Sequence, residues 1–181
     1  ARDLARQRLA HADAQHDRDA RLLASYTSAA SDLFLGHLEA AREQLEALLA
    51  VYPVDGLATR AIAYDIGIVA QSLLGDGLWL LGQPDAAMRA SDDAVERGGG
   101  FSPFTQSVAL VNRMMLATSM RDGAEASRQA ERLIALSAEY SLQYWTVFWR
   151  LSQAIARVSP DAGDDDIDAA LAEAVESITT M

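Results

Sequence analysis

The sequence predicts an all-α fold of antiparallel helix pairs, with about nine helices in one domain spanning residues 1–181. Apolar residues recur at helical spacing along most of the chain, and no segment makes a convincing strand. The segment 33–41 recurs in pattern at 78–87, and a weaker third copy occupies 116–126. Because such units cannot bury their apolar faces alone, we expect them to stack into a solenoid.

The first copy of the repeat contains two amphipathic helices. The apolar face of the first helix consists of Leu22, Leu23, Tyr26, Ala30, Leu33 and Phe34. This helix should end at Gly36, and the second should run from Leu38 to Leu49 and be closed by Pro53. Residues 54–58 are the expected loop, because Pro53 and Gly56 disfavour a continuous helix there.

The second copy is predicted to begin with a long buried helix over residues 59–81. Gly82 suits the left-handed conformation that commonly ends a helix. Pro84 falls in the first turn of the next helix, where proline is tolerated, and that helix should run to about Arg97.

The third copy follows the strongest break in the chain, the three glycines at 98–100. Ser102 is predicted to be an N-cap and Pro103 the first residue of a helix that runs toward Met120. The remaining helices are expected at 123–140, 142–158 and 167–178.

Composition and charge exclude several classes of partner. The formal charge is −11, from 26 acidic and 15 basic residues, and all of the basic residues are arginines. Nucleic acid is therefore not an expected partner, and the absence of a polybasic cluster argues against a membrane surface. The apolar stretch 66–81 falls short of the ~20 clean residues that a membrane span needs. The chain has no cysteine, which fits the cytoplasm, where we expect it.

No catalytic, cofactor or metal site is expected. The chain has no lysine, so it cannot form a phosphate-binding P-loop. Gly75-Asp76-Gly77 begins like a dinucleotide-binding fingerprint but lies within a helical run, which predicts helix packing. His11, His16 and His37 do not share a helical face, and no serine lies in a nucleophile elbow. We therefore predict a protein that is not an enzyme and holds no cofactor.

The repeat resembles the tetratricopeptide repeat. Leu74-Gly75 occupies the position where that repeat carries Leu-Gly, and Gly36 and Gly82 occupy its turn glycine, whereas the third copy has Arg121 there. The small residues of the second helices are Ala41, Ala87, Ala126 and Ala170. Their separations of 46, 39 and 44 residues exceed the period of about 34, which indicates longer helices or loops. The resemblance implies a right-handed superhelix of antiparallel helix pairs.

A more specific resemblance concerns the repeat region of large bacterial signalling ATPases. The segments 78–87, 102–104 and 133–136 are similar to that region, and the likeness covers roughly residues 19–178. In those proteins the nucleotide-binding module and a cyclase or DNA-binding transcriptional module lie elsewhere in the polypeptide. The resemblance implies a protein-interaction and sensor segment of a bacterial signalling or transcriptional regulator. The chain does not begin with Met, and we expect it to be a fragment of such a regulator.

Two sets of residues are candidate interaction positions. The repeat register of the resemblance places four of them in a concave groove: Tyr26, Asp76, Trp79 and Met115. Two aromatic stripes of one helix, either ordinary core or a contact surface, are formed by Tyr144, Trp145, Phe148 and Trp149. The mostly apolar groove favours a protein or peptide partner, another domain of the same polypeptide or a second copy of the chain. The alternatives are a small-molecule inducer-binding domain, a dimerisation or spacer module, and an enzyme whose site assembles from scattered acidic residues.

Overall fold

The structure is a computed structural model that describes residues 17–53 and 63–142 and the single positions 7, 169, 172 and 176. Within these ranges the chain is all-helical and contains no strand. The two long ranges contain six helices: α1 (Arg18–Phe34), α2 (Leu38–Val51), α3 (Ile66–Leu80), α4 (Pro84–Gly98), α5 (Pro103–Ser119) and α6 (Gly123–Tyr140). The helices predicted at 142–158 and 167–178 lie outside the described residues.

The six helices form three hairpins. Tight turns join α1 to α2, α3 to α4 and α5 to α6. The first helices of the hairpins contact one another in order, α1 with α3 and α3 with α5. In the described part of the chain the second helices do not contact one another; α2 and α4 each pack on their own first helix and on the next one. The first helices therefore form a continuous layer, and the second helices are packed along one side of it.

Side-chain caps mark the starts of four of the six described helices, α1, α3, α5 and α6. The hydroxyl of Ser102 accepts a hydrogen bond from a first-turn amide of α5 at 3.2 Å, and Pro103 is the first helical residue, which confirms the predicted start. The prediction that α3 begins at residue 59 is wrong, because residues 63–65 are not helical and the helix begins at Ile66. Asp65 is the N-cap: its backbone is extended, and its carboxylate accepts a hydrogen bond from the backbone N–H of Ile68 at 3.0 Å.

The three hairpin turns share one backbone conformation. The turn residues Gly36, Gly82 and Arg121 all have positive φ angles, of 80°, 75° and 59°. In each turn this residue donates to the carbonyl three residues earlier, and the next residue donates to the carbonyl five earlier. These are the two hydrogen bonds of the Schellman helix ending. The third copy therefore keeps the turn geometry without glycine, and Arg121 adopts the left-handed conformation at a cost of roughly 1 kcal/mol.

Glycines in α3 allow neighbouring helices to approach closely. A Cβ atom at Gly75 would lie 3.1 Å from the carbonyl oxygen of Ala87 in α4. A Cβ atom at Gly77 would lie 3.4 Å from Cδ1 of Leu33 in α1. The segment Gly75-Asp76-Gly77 thus lies inside a helix, with its two glycines facing α4 and α1, as expected for helix packing.

A second close contact fixes the amino-terminal end of α3. The ring of Tyr52, which follows α2, lies against Gly67, where an added Cβ would be 2.3 Å from a ring carbon. The Tyr52 hydroxyl donates to the carboxylate of Asp65 at 2.7 Å. The backbone N–H of Asp65 donates to the hydroxyl of Thr105 in α5 at 3.0 Å. The end of α2 and the starts of α3 and α5 are thereby joined.

Candidate interaction face

Large apolar side chains are exposed on all three first helices. Phe34 in α1 is 80% exposed, Leu80 in α3 is 59% exposed, and Met115 in α5 is 52% exposed. Phe34 and Leu80 each lie two residues before the left-handed turn residue of their hairpin, so they occupy equivalent positions on neighbouring helices. Exposed apolar side chains therefore occupy equivalent positions on α1 and α3, which are in contact, and another lies on α5.

The turn register defines this surface as two rows of residues. Ala30, Asp76 and Met115 lie six residues before their turn residues, and each is followed four residues later by a member of the second row. Residues four apart lie on the same side of a helix. We call this surface the first-helix face; its members are Ala30, Phe34, Asp76, Leu80, Met115 and Ser119.

The structure places all four predicted groove residues on the first helices. Asp76 and Met115 belong to the first-helix face. Trp79 and Tyr26 are half-buried and pack against the hydrophobic core. The phenol of Tyr26 is hydrogen-bonded to that of Tyr64, and burial together with this neighbour raises the pKa of Tyr26. The second predicted set lies outside the described residues: Tyr144, Trp145, Phe148 and Trp149.

Asp76 is the only charged residue of α3. Its side chain is half-buried, and it forms no hydrogen bond or ion pair with any residue that the structure describes. Burial raises the pKa of this carboxyl group to about 6. No described residue uses the acceptor capacity of this carboxylate, and the other five members of the first-helix face carry no charge.

Sequence reasoning missed a buried ion-pair network centred on Arg113 in α5. Arg113 is only 2% exposed. Its Nε donates to Asp92 Oδ1 in α4 at 2.7 Å, and its Nη2 lies 3.0 Å from Glu125 Oε1 in α6. The available signal was that Arg113 is the only charged residue of α5, since a buried charge needs a partner. The network connects the second hairpin to the third.

Glu125 remains the acidic partner at the centre of this network. Burial alone would raise its pKa. Hydrogen bonds from Gln129 and Arg128, and the positive charges of Arg113 and Arg128, outweigh burial and lower the pKa of Glu125 below its ordinary value. The carboxylate of Glu125 is therefore paired within the network, whereas Nη1 of Arg113 is buried with no hydrogen-bond partner among the described residues.

In the ranges 17–53 and 63–142 no three histidine, aspartate or glutamate side chains are grouped as metal ligands would be. Of the helices described, none combines the length and the apolar character that crossing a bilayer would require.

No protein-family model, no curated protein and no solved structure matches the chain. The fold and the first-helix face are therefore the features from which a function can be inferred.

Proposed function

We propose that this chain is a non-catalytic interaction module whose first-helix face binds a peptide segment of a protein partner. The observation that carries the proposal is the exposure of Phe34, Leu80 and Met115 on three adjacent helices. Contiguous apolar patches on folded domains commonly mark binding sites. Helical repeat proteins bind their partners through extended surfaces of this kind, to which several helices contribute.

The order of helix contacts supports a superhelical form of this proposal. The first helices lie in one layer, and the second helices pack along one side of it. In a right-handed superhelix of antiparallel helix pairs, such as a tetratricopeptide-like solenoid, a layer of this kind lines the concave side. The first-helix face would then be the floor of a groove, and a bound segment would cross α1, α3 and α5.

The resemblance to the repeat regions of bacterial signalling ATPases supports a wider setting for this module. There it would be the interaction and sensor segment of a cytoplasmic regulator whose nucleotide-binding and output modules lie elsewhere in the polypeptide. A partner bound to the first-helix face would change the arrangement of those modules if it bound one arrangement more tightly than another.

A selection from random peptides tests the proposal, because it does not require the natural partner to be identified. Random dodecapeptides displayed on phage are selected on the purified protein, and the enriched peptides are synthesised and their affinities measured by fluorescence anisotropy. Leu80 is 59% exposed, and burying that part of the side chain would contribute roughly 1–2 kcal/mol, so Leu80→Ser should weaken binding about five- to thirtyfold. The matched control is Val51→Ser, which removes a side chain of similar exposure, 58%, from α2.

Two results would count against a peptide-binding face. Failure to enrich any peptide, or equal binding of the enriched peptides to the wild type and to Leu80→Ser, would refute it. Sedimentation equilibrium of the same proteins tests whether the face instead binds a second copy of the chain. A dimer that Leu80→Ser dissociates and Val51→Ser leaves intact would identify a second copy of the chain as the occupant.

A further inference from the structure

The first helices α3 and α5 each contain a single charged residue, but only the charge in α5 has partners among the described residues. In α5 the guanidinium of Arg113 faces inward and is held by Asp92 and Glu125. In α3 the carboxylate of Asp76 has no hydrogen bond or ion pair within the described part of the chain. One charge is paired with two carboxylates, and the other has no partner among the residues that the structure describes.

The residues around Asp76 restrict which groups of a partner could pair with its carboxylate. Ala30 and Met115 take the equivalent positions on the neighbouring helices, and Leu80 lies one helical turn away on the same side. Asp76 is the only charged member of the first-helix face. A half-buried carboxylate without a partner costs free energy, and an incoming cation would remove that cost.

We propose that Asp76 selects partner segments that place an arginine or lysine between large apolar side chains. This inference rests on the proposed function of the first-helix face. The aliphatic stem of the basic side chain would lie along Leu80 and Met115, while its charged end reaches the carboxylate. The apolar neighbours in the peptide would cover the exposed side chains on either side.

The overall charge of the chain favours the same partner chemistry. The formal net charge of −11 attracts a basic segment during the approach and disfavours an acidic one. Long-range attraction acts mainly on the association rate, whereas the contact with Asp76 acts on specificity and dissociation. These two effects can be separated, because only the first depends strongly on salt concentration.

The test uses the same peptide library and three variants of the whole chain. Asp76→Asn keeps the shape of the side chain and removes its charge, and Asp76→Lys reverses the charge. Asp93→Asn is the matched control, since it removes an exposed acid from α4. Circular dichroism spectra and melting curves establish that each variant is folded before selection.

The wild type and Asp93→Asn should enrich peptides with an arginine or lysine flanked by large apolar residues. These peptides should bind Asp76→Asn about tenfold more weakly or worse, because a charge-assisted hydrogen bond is lost. Asp76→Lys should instead enrich peptides with glutamate or aspartate between apolar residues. Binding of the wild-type peptides to Asp76→Asn with unchanged affinity, or enrichment of peptides without a basic residue, would overturn the inference.

The outcomes distinguish this inference from the proposed function. Peptides that lose affinity on Leu80→Ser but bind Asp76→Asn as well as the wild type would refute the role of Asp76 alone. Peptides that are indifferent to both changes would refute the first-helix face as a binding surface. Failure to enrich any peptide would overturn both.

Discussion

Replacing Asp76 by asparagine should stabilise the fold, and the gain should depend on pH. Burial raises the pKa of this carboxyl from 3.8 to about 6. Each pKa unit corresponds to 1.36 kcal/mol, so ionised Asp76 costs the folded state about 3 kcal/mol. A raised carboxyl pKa means that the folded state binds the proton more tightly than the unfolded state. Stability is therefore lost as pH rises from about 4 to above 6.

Asparagine resembles the protonated acid in shape and carries no charge at any pH. Asp76→Asn should thus increase the free energy of unfolding by about 3 kcal/mol at pH 7.5, by roughly half as much at pH 5 and by less than about 1 kcal/mol at pH 4. Urea unfolding followed by circular dichroism at these three pH values measures the difference directly. Titrations elsewhere in the chain cancel when the two proteins are compared at the same pH.

The control for this measurement is Asp93→Asn, which removes an exposed acid from α4. A surface change of this kind should alter the free energy of unfolding by about 0.5 kcal/mol or less at every pH. The same gain for Asp76→Asn at pH 4 and pH 7.5 would show that the gain does not come from ionisation of Asp76, and no gain at all would show that the carboxylate is well solvated. Residues that lower stability often do so because they are needed for function, so a destabilising carboxylate at position 76 would be consistent with its proposed role in selecting partners.

The remaining predictions concern packing and turns, and urea unfolding checks each of them. Arg113→Met should lower the free energy of unfolding by about 1–3 kcal/mol, because Glu125 and Asp92 lose their buried cation while Arg128 and Gln129 still hold Glu125; a loss below about 0.5 kcal/mol would show that the network contributes little. Arg121→Gly should stabilise the fold by about 0.5–1 kcal/mol, and Gly82→Ala should destabilise it by about 1 kcal/mol, because both positions have a positive φ angle that favours glycine. Effects of the opposite sign would contradict the common turn conformation. Gly67→Ala should cost about 1–3 kcal/mol, because the added methyl would lie 2.3 Å from a tyrosine ring carbon that a hydrogen bond holds in place. Gly123→Ala, with no atom within 4 Å of the new methyl, should be close to neutral, and an equal loss in both variants would rule out the steric explanation.

Local signals in the sequence predicted much of the helix layout. Gly82 ends α3 in the left-handed conformation, and Ser102 and Pro103 start α5, since these residue types act through their own backbone and first-turn contacts. The start of α3 was predicted too early. The stretch 59–64 contains neither proline nor glycine, so only the cap at Asp65 marks the boundary.

Features that depend on contacts between helices could not be predicted in the same way. The conformation of Arg121 is imposed by the Schellman hydrogen bonds and by the packing of α5 on α6, which outweigh the local preference of an arginine. The partners of Arg113 come from two other helices, and neither lies within one helical turn of it in the sequence. A single charge in an apolar helix is a signal that a partner is needed, but this signal does not separate Arg113, which has partners, from Asp76, which has none among the described residues.

The most direct test of the first-helix face is the pKa of the Asp76 carboxyl group in the free and the peptide-bound protein, measured by ¹³C NMR of the side-chain carbon. The expected pKa of the free protein is about 6, since the carboxylate is half-buried and has no partner among the described residues. Saturation with an enriched basic peptide should lower that pKa, because a nearby cation favours the ionised form. A pKa near 3.8 in the free protein, or an unchanged pKa in the saturated complex, would contradict a binding role for this acid.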